Sequence, residues 1–203
     1  MSKLIPVILT SLSTINGLDL SLRSLIIPNG SCNNELSMTI LNLNQFMNLE
    51  SIVIGNNCFG SVDDFLIFKL NRLRSLKIGN NSFTQVKKYD FDIDVEGSHC
   101  KCDIKSKSFH ILNCESLESI EIGICSFADF GGEFELKNLI NLKSIRIGKI
   151  GTTSMNFMCS SFIIRGNTII MNGLMNVDLP SLQSIELGNT VFYDSLSTII
   201  ESI

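Results

Sequence analysis

The fold is decided by the stretch LRSLKIGNNSF at residues 73–83, because its opening phrase, L-x-S-[IL]-x-[IL]-[GP], recurs six times along the chain. The copies begin at Leu22, Leu49, Leu73, Leu117, Leu142 and Leu182. Their starts are 27, 24, 44, 25 and 40 residues apart. Serine is always third, and glycine closes every copy except the first, which Pro28 closes. A phrase that returns at intervals of roughly 25 residues is typical of a repeat protein whose units stack on one another.

Each copy predicts a short strand with one buried face. The fourth and sixth residues of the phrase are always apolar, and residues two apart in a strand point to the same side. Apolar residues also precede the leading leucine by eight and three positions, as Phe65 and Leu70 precede Leu73. A unit of about 25 residues cannot bury such a face alone. We therefore expect a repeat solenoid with a parallel β-sheet, mostly strand and loop with little helix.

Four copies extend the phrase to eleven residues, with apolar residues at positions 1, 4, 6 and 11. They read LESIVIGNNCF, LRSLKIGNNSF, LESIEIGICSF and LQSIELGNTVF, with Asn57, Asn81, Cys125 and Thr190 at position 9. This extended phrase resembles the leucine-rich-repeat segment L-x-x-L-x-L-x-x-[NCT]-x-L. The ending G-x-x-S-F, and I-I-P at Pro28, resemble the BspA-like branch of that family. The copies at Leu22 and Leu142 depart from the pattern after the strand.

The resemblance implies a leucine-rich-repeat horseshoe or arc over residues 22–192. It also implies that the position-9 side chain bonds neighbouring turns and that the outward strand face binds partners. Residues 1–21 are expected to form an N-terminal cap or a degenerate repeat. Residues 193–203 are expected to form a C-terminal cap or a short helix, since their aliphatic residues have helical spacing. Uncapped ends would expose core surface, so end-to-end self-association is a further expectation.

Two long gaps between copies leave two interpretations open. Residues 89–105 alternate apolar and polar residues around Gly97-Ser98, which is typical of a hairpin. Residues 159–171 contain Phe162–Arg165 and a Gly166-Asn167 turn, but they also fit the repeat pattern. Each gap therefore holds either a hairpin insertion or a degenerate repeat, and the solenoid continues in both cases.

The outward strand positions predict the binding residues. The fifth residues of the six phrases are Ile26, Val53, Lys77, Glu121, Arg146 and Glu186, and the second residues include Arg74 and Glu118. Charges alternate in sign along both columns, so no single-sign field forms. The apolar pair Ile26 and Val53, together with Lys77, is expected to anchor a protein partner. A merely solvated face is the alternative interpretation.

Composition excludes several other classes of partner. The chain has 203 residues, a net charge of −4 and a sequence pI near 5.2, which does not favour nucleic acid. No apolar run approaches the roughly 20 residues that cross a bilayer. Seven cysteines without regular spacing favour reduced thiols and a cytoplasmic location. The alternative is a secreted or cell-surface recognition protein, for which Asn29 and Asn80 would be glycosylation sites.

Catalytic chemistry is not expected from this sequence. The chain has only two histidines, and no nucleophile, base or metal set recurs with the repeated serines. Cys100, Cys102, His110 and Cys114 form the one cluster that suggests zinc, but its spacing matches no common C-x₂-C pattern. Cys114 also stands where the sister repeats have Leu70 and other leucines. We therefore predict a non-catalytic interaction module without cofactor, with a metal-binding domain or enzyme at this cluster as the second alternative.

Overall fold

The structure is a computed structural model of the chain, and it describes residues 7–8, 17–33, 36–85, 107–166, 179–192 and 198–202. These residues contain β-strands and turns and no α-helix. The strands are β1 (Val7–Ile8), β2 (Ser24–Ile27), β3 (Ile40–Asn42), β4 (Ser51–Ile54), β5 (Asp64–Phe68), β6 (Ser75–Ile78), β7 (Ser108–Leu112), β8 (Ser119–Ile122), β9 (Glu133–Lys137), β10 (Ser144–Ile147), β11 (Ser161–Gly166), β12 (Ser184–Leu187) and β13 (Thr198–Ser202). The prediction of a mostly β repeat solenoid with little helix is confirmed.

The strands form two parallel sheets, and from β2 onward the chain visits the two sheets in turn. The first sheet has the order β1-β2-β4-β6-β8-β10-β12, and the second has the order β13-β11-β9-β7-β5-β3. Each coil of the solenoid therefore contributes one strand to each sheet. The pairing is parallel throughout, as expected for coils that stack with one handedness.

The repeated phrase forms the first sheet in the register that its alignment predicts. Each phrase serine pairs with the serine of the next coil, from Ser24 with Ser51 through to Ser144 with Ser184. In β2 and β4 the fourth and sixth phrase residues are buried, while the third and fifth are half-buried. The predicted two-residue alternation is therefore confirmed in these strands.

The second sheet was not predicted. The apolar residues eight positions before the leading leucines lie within strands β5, β7 and β9. These residues, Phe65, Phe109 and Phe134, occupy equivalent places in register and are fully buried. Burial alternates along β5 and β7 as it does in the first sheet, whereas three successive residues of β9 are buried. The solenoid therefore has two parallel sheets where one was expected, because the segments upstream of the leading leucines also pair from coil to coil.

The solenoid continues across both long gaps. Strands β6 and β8 pair directly, as do β5 and β7, so no coil intervenes between them, although residues 89–105 themselves lie outside the described residues. In the second gap, Ser161–Gly166 is an ordinary strand of the second sheet. It pairs on one side with β9 and on the other with β13. With both edges occupied, β11 has no free edge for a hairpin partner in this sheet; residues 167–171 are outside the described part.

The described residues at the two ends extend the sheets. Val7–Ile8 pairs with β2, as a degenerate repeat would. Thr198–Ser202 pairs with β11 as strand β13, so the short helix predicted for residues 193–203 is wrong over this stretch, where β-branched residues favour extended backbone. In the last strand of the first sheet, Ile185 and Leu187 are 42% and 39% exposed. End-to-end self-association stays a prediction.

The core is a double stack of phenylalanine rings. One stack follows position 11 of the phrase and includes Phe83 and Phe127, whose ring centroids are 4.6 Å apart. The other stack follows the second sheet and includes Phe65 and Phe109 at 4.8 Å. The two stacks meet edge to face, as Phe109 and Phe127 do at 5.1 Å. Both arrangements are favourable for aromatic quadrupoles, and they fill the space between the two sheets.

The turn that ends each of the four eleven-residue phrases has left-handed backbone. The residues at positions 9 and 11 of these phrases have φ between 54° and 63°, although none of them is glycine. Asparagine tolerates this conformation well, whereas phenylalanine adopts it at a cost that packing must offset. Packing of the phenylalanine ring against neighbouring rings holds this strained conformation in every extended copy.

Side chains at positions 8 and 10 of the phrase form hydrogen bonds between coils, whereas the resemblance implied position 9. At position 8, Asn56 Oδ1 accepts a hydrogen bond from Asn80 N at 2.7 Å, and Asn80 Oδ1 accepts one from Ile124 N at 2.8 Å. At position 10, Ser126 Oγ accepts a bond from Ser82 N at 3.0 Å. At position 9, Thr190 Oγ1 accepts such a bond from Met155 N at 3.1 Å. Side-chain ladders of this kind satisfy turn amides inside the stack.

Candidate binding face

The outward face of the first sheet carries ordered columns of side chains, because the parallel strands are in register. We call the third phrase residues the serine column and the fifth phrase residues the fifth-position column. In the serine column, Ser51 Oγ donates to Ser24 Oγ at 2.9 Å. The fifth-position column contains Ile26, Val53, Lys77, Glu121, Arg146 and Glu186, each beside the next in register.

Charges in the fifth-position column pair along the stack. Lys77 Nζ lies 3.0 Å from Glu121 Oε1, and Arg146 Nε lies 2.7 Å from Glu186 Oε2. The hydrogen bond to Glu186, followed by the charge of that carboxylate, raises the pKa of Arg146. All four side chains are about half exposed, so these pairs contribute little to stability. Their consequence is a face on which each charge already has a neighbour of opposite sign.

A second row of charges borders this face at the second phrase position. Arg23 lies 3.5 Å from Glu50, and Arg74 lies 3.6 Å from Glu118. Lys143 Nζ donates to Glu118 Oε2 at 2.6 Å, and this bond is the main reason that the pKa of Glu118 is lowered. The predicted side-by-side placement of opposite charges is therefore confirmed for both rows.

An open groove of about 250 Å³ runs across these columns. Its lining residues are Val53, Ser75, Leu76, Lys77, Ser119, Ile120, Glu121, Ser144, Ile145, Arg146, Ser184 and Glu186. The groove spans five coils, from β4 to β12. Serine hydroxyls and paired charges therefore surround a single concave surface, which can offer both hydrogen-bond donors and acceptors to a ligand.

The structure brings together five of the eight predicted binding residues. Val53, Lys77, Glu121, Arg146 and Glu186 all line the groove. Ile26 lies beside Val53 in register but is not among the lining residues. Arg74 and Glu118 pair with each other in the bordering row. Four phrase serines, Ser75, Ser119, Ser144 and Ser184, also line the groove.

The cluster proposed as a zinc alternative does not assemble from its described members. Cys114 is fully buried, and its Sγ donates to Leu112 O. His110 points to the opposite, outward side of β7, where its Nδ1 lies 3.3 Å from Glu135 Oε2. Burial raises the pKa of the Cys114 thiol to about 11, so the thiolate that zinc requires is disfavoured at neutral pH. Cys100 and Cys102 lie outside the described residues.

Two polar clusters were not found by sequence reasoning. On the outward face of the second sheet, ligand atoms of His110, Glu133 and Glu135 all lie within 4.8 Å of one another. At the other cluster, the buried Lys107 contacts two carboxylates from neighbouring coils. Neither cluster has a repeat signature, because each uses residues that occur in single coils only.

The described cysteines are of two kinds. Cys32, Cys58, Cys114 and Cys125 are buried thiols. Cys159 is disulfide-bonded, so the expectation that the thiols are reduced is wrong at this position. The seven cysteines have no regular spacing, so no sequence pattern indicated that this residue is paired.

Comparison with known proteins finds no family model, no curated protein and no solved structure that matches the chain. In the part of the chain that the structure describes, no helix has the length and hydropathy to cross a bilayer.

Proposed function

We propose that the chain is a non-catalytic protein-interaction module and that its partner binds the groove on the first sheet. The observation that carries this proposal is the convergence of the fifth-position column and the serine column on one concavity that spans five coils. Repeat solenoids commonly use such extended surfaces for binding, because stacking aligns equivalent positions over a long distance.

The charge pattern favours a protein over a polyanion. Lys77 and Arg146 are each held by a neighbouring glutamate, so neither is available as part of a continuous basic stripe. Nucleic acid and anionic lipid both favour clustered lysine and arginine. A polypeptide with charges of both signs can exchange partners with these ion pairs and bond to the serine hydroxyls.

We further propose that the solenoid belongs with leucine-rich-repeat proteins of the BspA-like type. The support is the recurring L-x-S-[IL]-x-[IL]-[GP] phrase, which forms a parallel ladder, and the turn that buries the position-11 phenylalanine. The second sheet is a departure from the single-sheet expectation, and the proposed binding face is the outward side of the first sheet, which the phrase forms.

The groove is tested by comparing variants in an affinity capture of partners from the organism's own extract. The groove variant carries Val53→Asp, Lys77→Ala and Arg146→Ala, and the control carries Lys69→Ala and Lys137→Ala at the second sheet. We expect the groove variant to recover at least about tenfold less of a specific partner, which corresponds to about 1.4 kcal/mol. The control should recover as much as the wild type. Equal recovery by a folded groove variant would reject the groove as the binding site.

A secreted or cell-surface recognition protein is the second candidate, because Cys159 is disulfide-bonded. Disulfides persist in oxidising compartments and are rare in the cytosol. Expression through a secretory pathway, followed by peptide mapping without reductant, should recover Cys159 in a linked peptide that Cys159→Ser abolishes. Glycans at Asn29 or Asn80 in the same sample would add support. A free Cys159 thiol in protein collected from the secretory pathway would count against this candidate.

A further inference from the structure

A buried lysine lies between two carboxylates where three coils meet. Lys107 Nζ is 2.9 Å from Asp129 Oδ2 and 3.2 Å from Asp63 Oδ1. The side chains of Lys107 and Asp129 are only 4% and 7% exposed, whereas that of Asp63 is 40% exposed. The ring of Phe130 lies 5.8 Å from the same nitrogen. The amine and one carboxyl group are thus held together away from water, with a second carboxyl group at the solvent side.

Asp129 is only partly satisfied as a carboxylate. Its Oδ2 accepts bonds from Lys107 and, at 3.4 Å, from the backbone amide of Gln85. Its Oδ1 is buried and has no hydrogen-bond partner among the described residues. A buried carboxylate normally has partners for both oxygens, because an unpaired one carries the full desolvation penalty. The carboxyl group of Asp129 is thus bonded to Lys107 through one oxygen, while its other buried oxygen makes no bond.

We propose that Lys107 and Asp129 form an intramolecular isopeptide bond, with Asp63 as the proton carrier. Transfer of one proton along the 2.9 Å contact converts the ion pair into a neutral amine and a carboxylic acid. Such a neutral pair is accessible where charge separation lacks water to stabilise it. A neutral lysine is a nucleophile, and its confinement beside the acid replaces an encounter in solution.

The reaction is a dehydration that needs no other reactant. The Lys107 nitrogen attacks Cγ of Asp129 and forms a C–N bond. Asp63 takes a proton from that nitrogen and returns it to the departing hydroxyl oxygen, and the C–O bond breaks with release of one water. The oxygen that leaves as water is Oδ2, which received the proton from Lys107, and Oδ1 stays as the carbonyl oxygen of the amide. The exposed side of Asp63 gives the water a route to solvent.

The bond would fasten the C-terminal end of a long insertion to Asp129, to which the N-terminal end is already hydrogen-bonded. Gln85 and Lys107 flank residues 86–106, and both contact Asp129. Strands β6 and β8 pair directly, so no further strand of the first sheet lies between them. Other contacts must therefore hold the two ends of the insertion against the solenoid. A covalent link at Asp129 performs that task.

Intact mass spectrometry of the reduced, denatured protein tests the proposal. We expect the wild type to weigh less than its sequence by one water molecule. Lys107→Arg, which keeps the charge but cannot form this amide, should have its full sequence mass. Lys143→Arg is the matched control, because Lys143 forms an equally close ion pair with Glu118 in an exposed place, and this variant should keep the deficit. Peptide mapping should locate the deficit in a branched peptide that joins Lys107 to Asp129.

The role of Asp63 as proton carrier is tested separately with the variant Asp63→Asn. This variant should have its full sequence mass, although Lys107 and Asp129 are unchanged. A wild-type protein at full sequence mass, or a deficit that survives Lys107→Arg, would overturn the bond. A deficit that survives Asp63→Asn would overturn the role of Asp63 as the proton carrier.

Discussion

Replacing Phe127 by alanine lowers the free energy of unfolding by about 3–5 kcal/mol, the range found when large buried side chains are truncated. Phe127 is fully buried and stacks on Phe83 at 4.6 Å and on Phe157 at 4.9 Å. It also meets the rings of Phe109 and Phe130 edge to face. Its removal opens a cavity that rigid neighbouring rings cannot close. Urea denaturation followed by far-ultraviolet circular dichroism measures the loss.

The matched control for this prediction is Phe192→Ala. Phe192 has the same phrase position and nearly the same backbone, with φ of 54° against 58° at Phe127, but it is only partly buried. Relief of backbone strain is therefore equal in the two variants, and the difference between them reports packing. We expect the Phe192 variant to lose clearly less stability. Equal losses would mean that the turn conformation, and not the ring stack, dominates at position 11.

The first sheet was predictable because its signal is simple. An apolar residue at every fourth and sixth phrase position requires one buried strand face, and constant serine at the third position fixes the register. The sequence also contains a signal for the second sheet, but the apolar residues upstream of the leading leucines were not assigned to strands. Phe109 and Ile111 alternate with the polar Ser108 and His110, and this period of two predicts a strand.

The turn geometry was less accessible to sequence reasoning. The sequence correctly predicts that phenylalanine at position 11 is a core residue. Its left-handed backbone is not predictable in the same way, because phenylalanine intrinsically disfavours that conformation. Tertiary packing decides that conformation, and no local pattern reports it. The bond between coils at position 8 was missed for a related reason, since Asn56 and Asn57 are identical in type and only the fold distinguishes the ladder residue from the turn residue.

The candidate binding face was predicted in composition but not in shape. Outward positions follow from strand alternation, so Lys77 and Glu121 were placed together correctly. The concavity depends on how five strands twist relative to one another, which the phrase does not encode. The Asp63–Lys107–Asp129 site lay beyond reach altogether, because its members come from connections that differ between coils.

Replacing Gly123 by alanine should cost about 3 kcal/mol, the upper part of the range for overpacking. The φ of Gly123 is not in the left-handed region, so its backbone conformation does not require glycine. Space does, because a Cβ at Gly123 would lie 2.6 Å from the carbonyl carbon of Gly79 and 2.7 Å from Asn80 N. These are backbone atoms of the neighbouring coil, and they are fixed by the hydrogen bond from Gly123 N to Ile78 O at 2.8 Å.

A methyl group at this position must therefore push two coils apart at the point where their strands end. Gly17→Ala is the matched control, because its Cβ would meet nothing within 4 Å and its φ is not in the left-handed region. We expect the control to stay within about 0.5 kcal/mol of the wild type in the same denaturation measurement. If the two variants lost the same stability, close stacking would not explain the glycine at the end of the phrase. A larger loss at Gly123 would show that the glycine at the end of the phrase is required by the close spacing between coils.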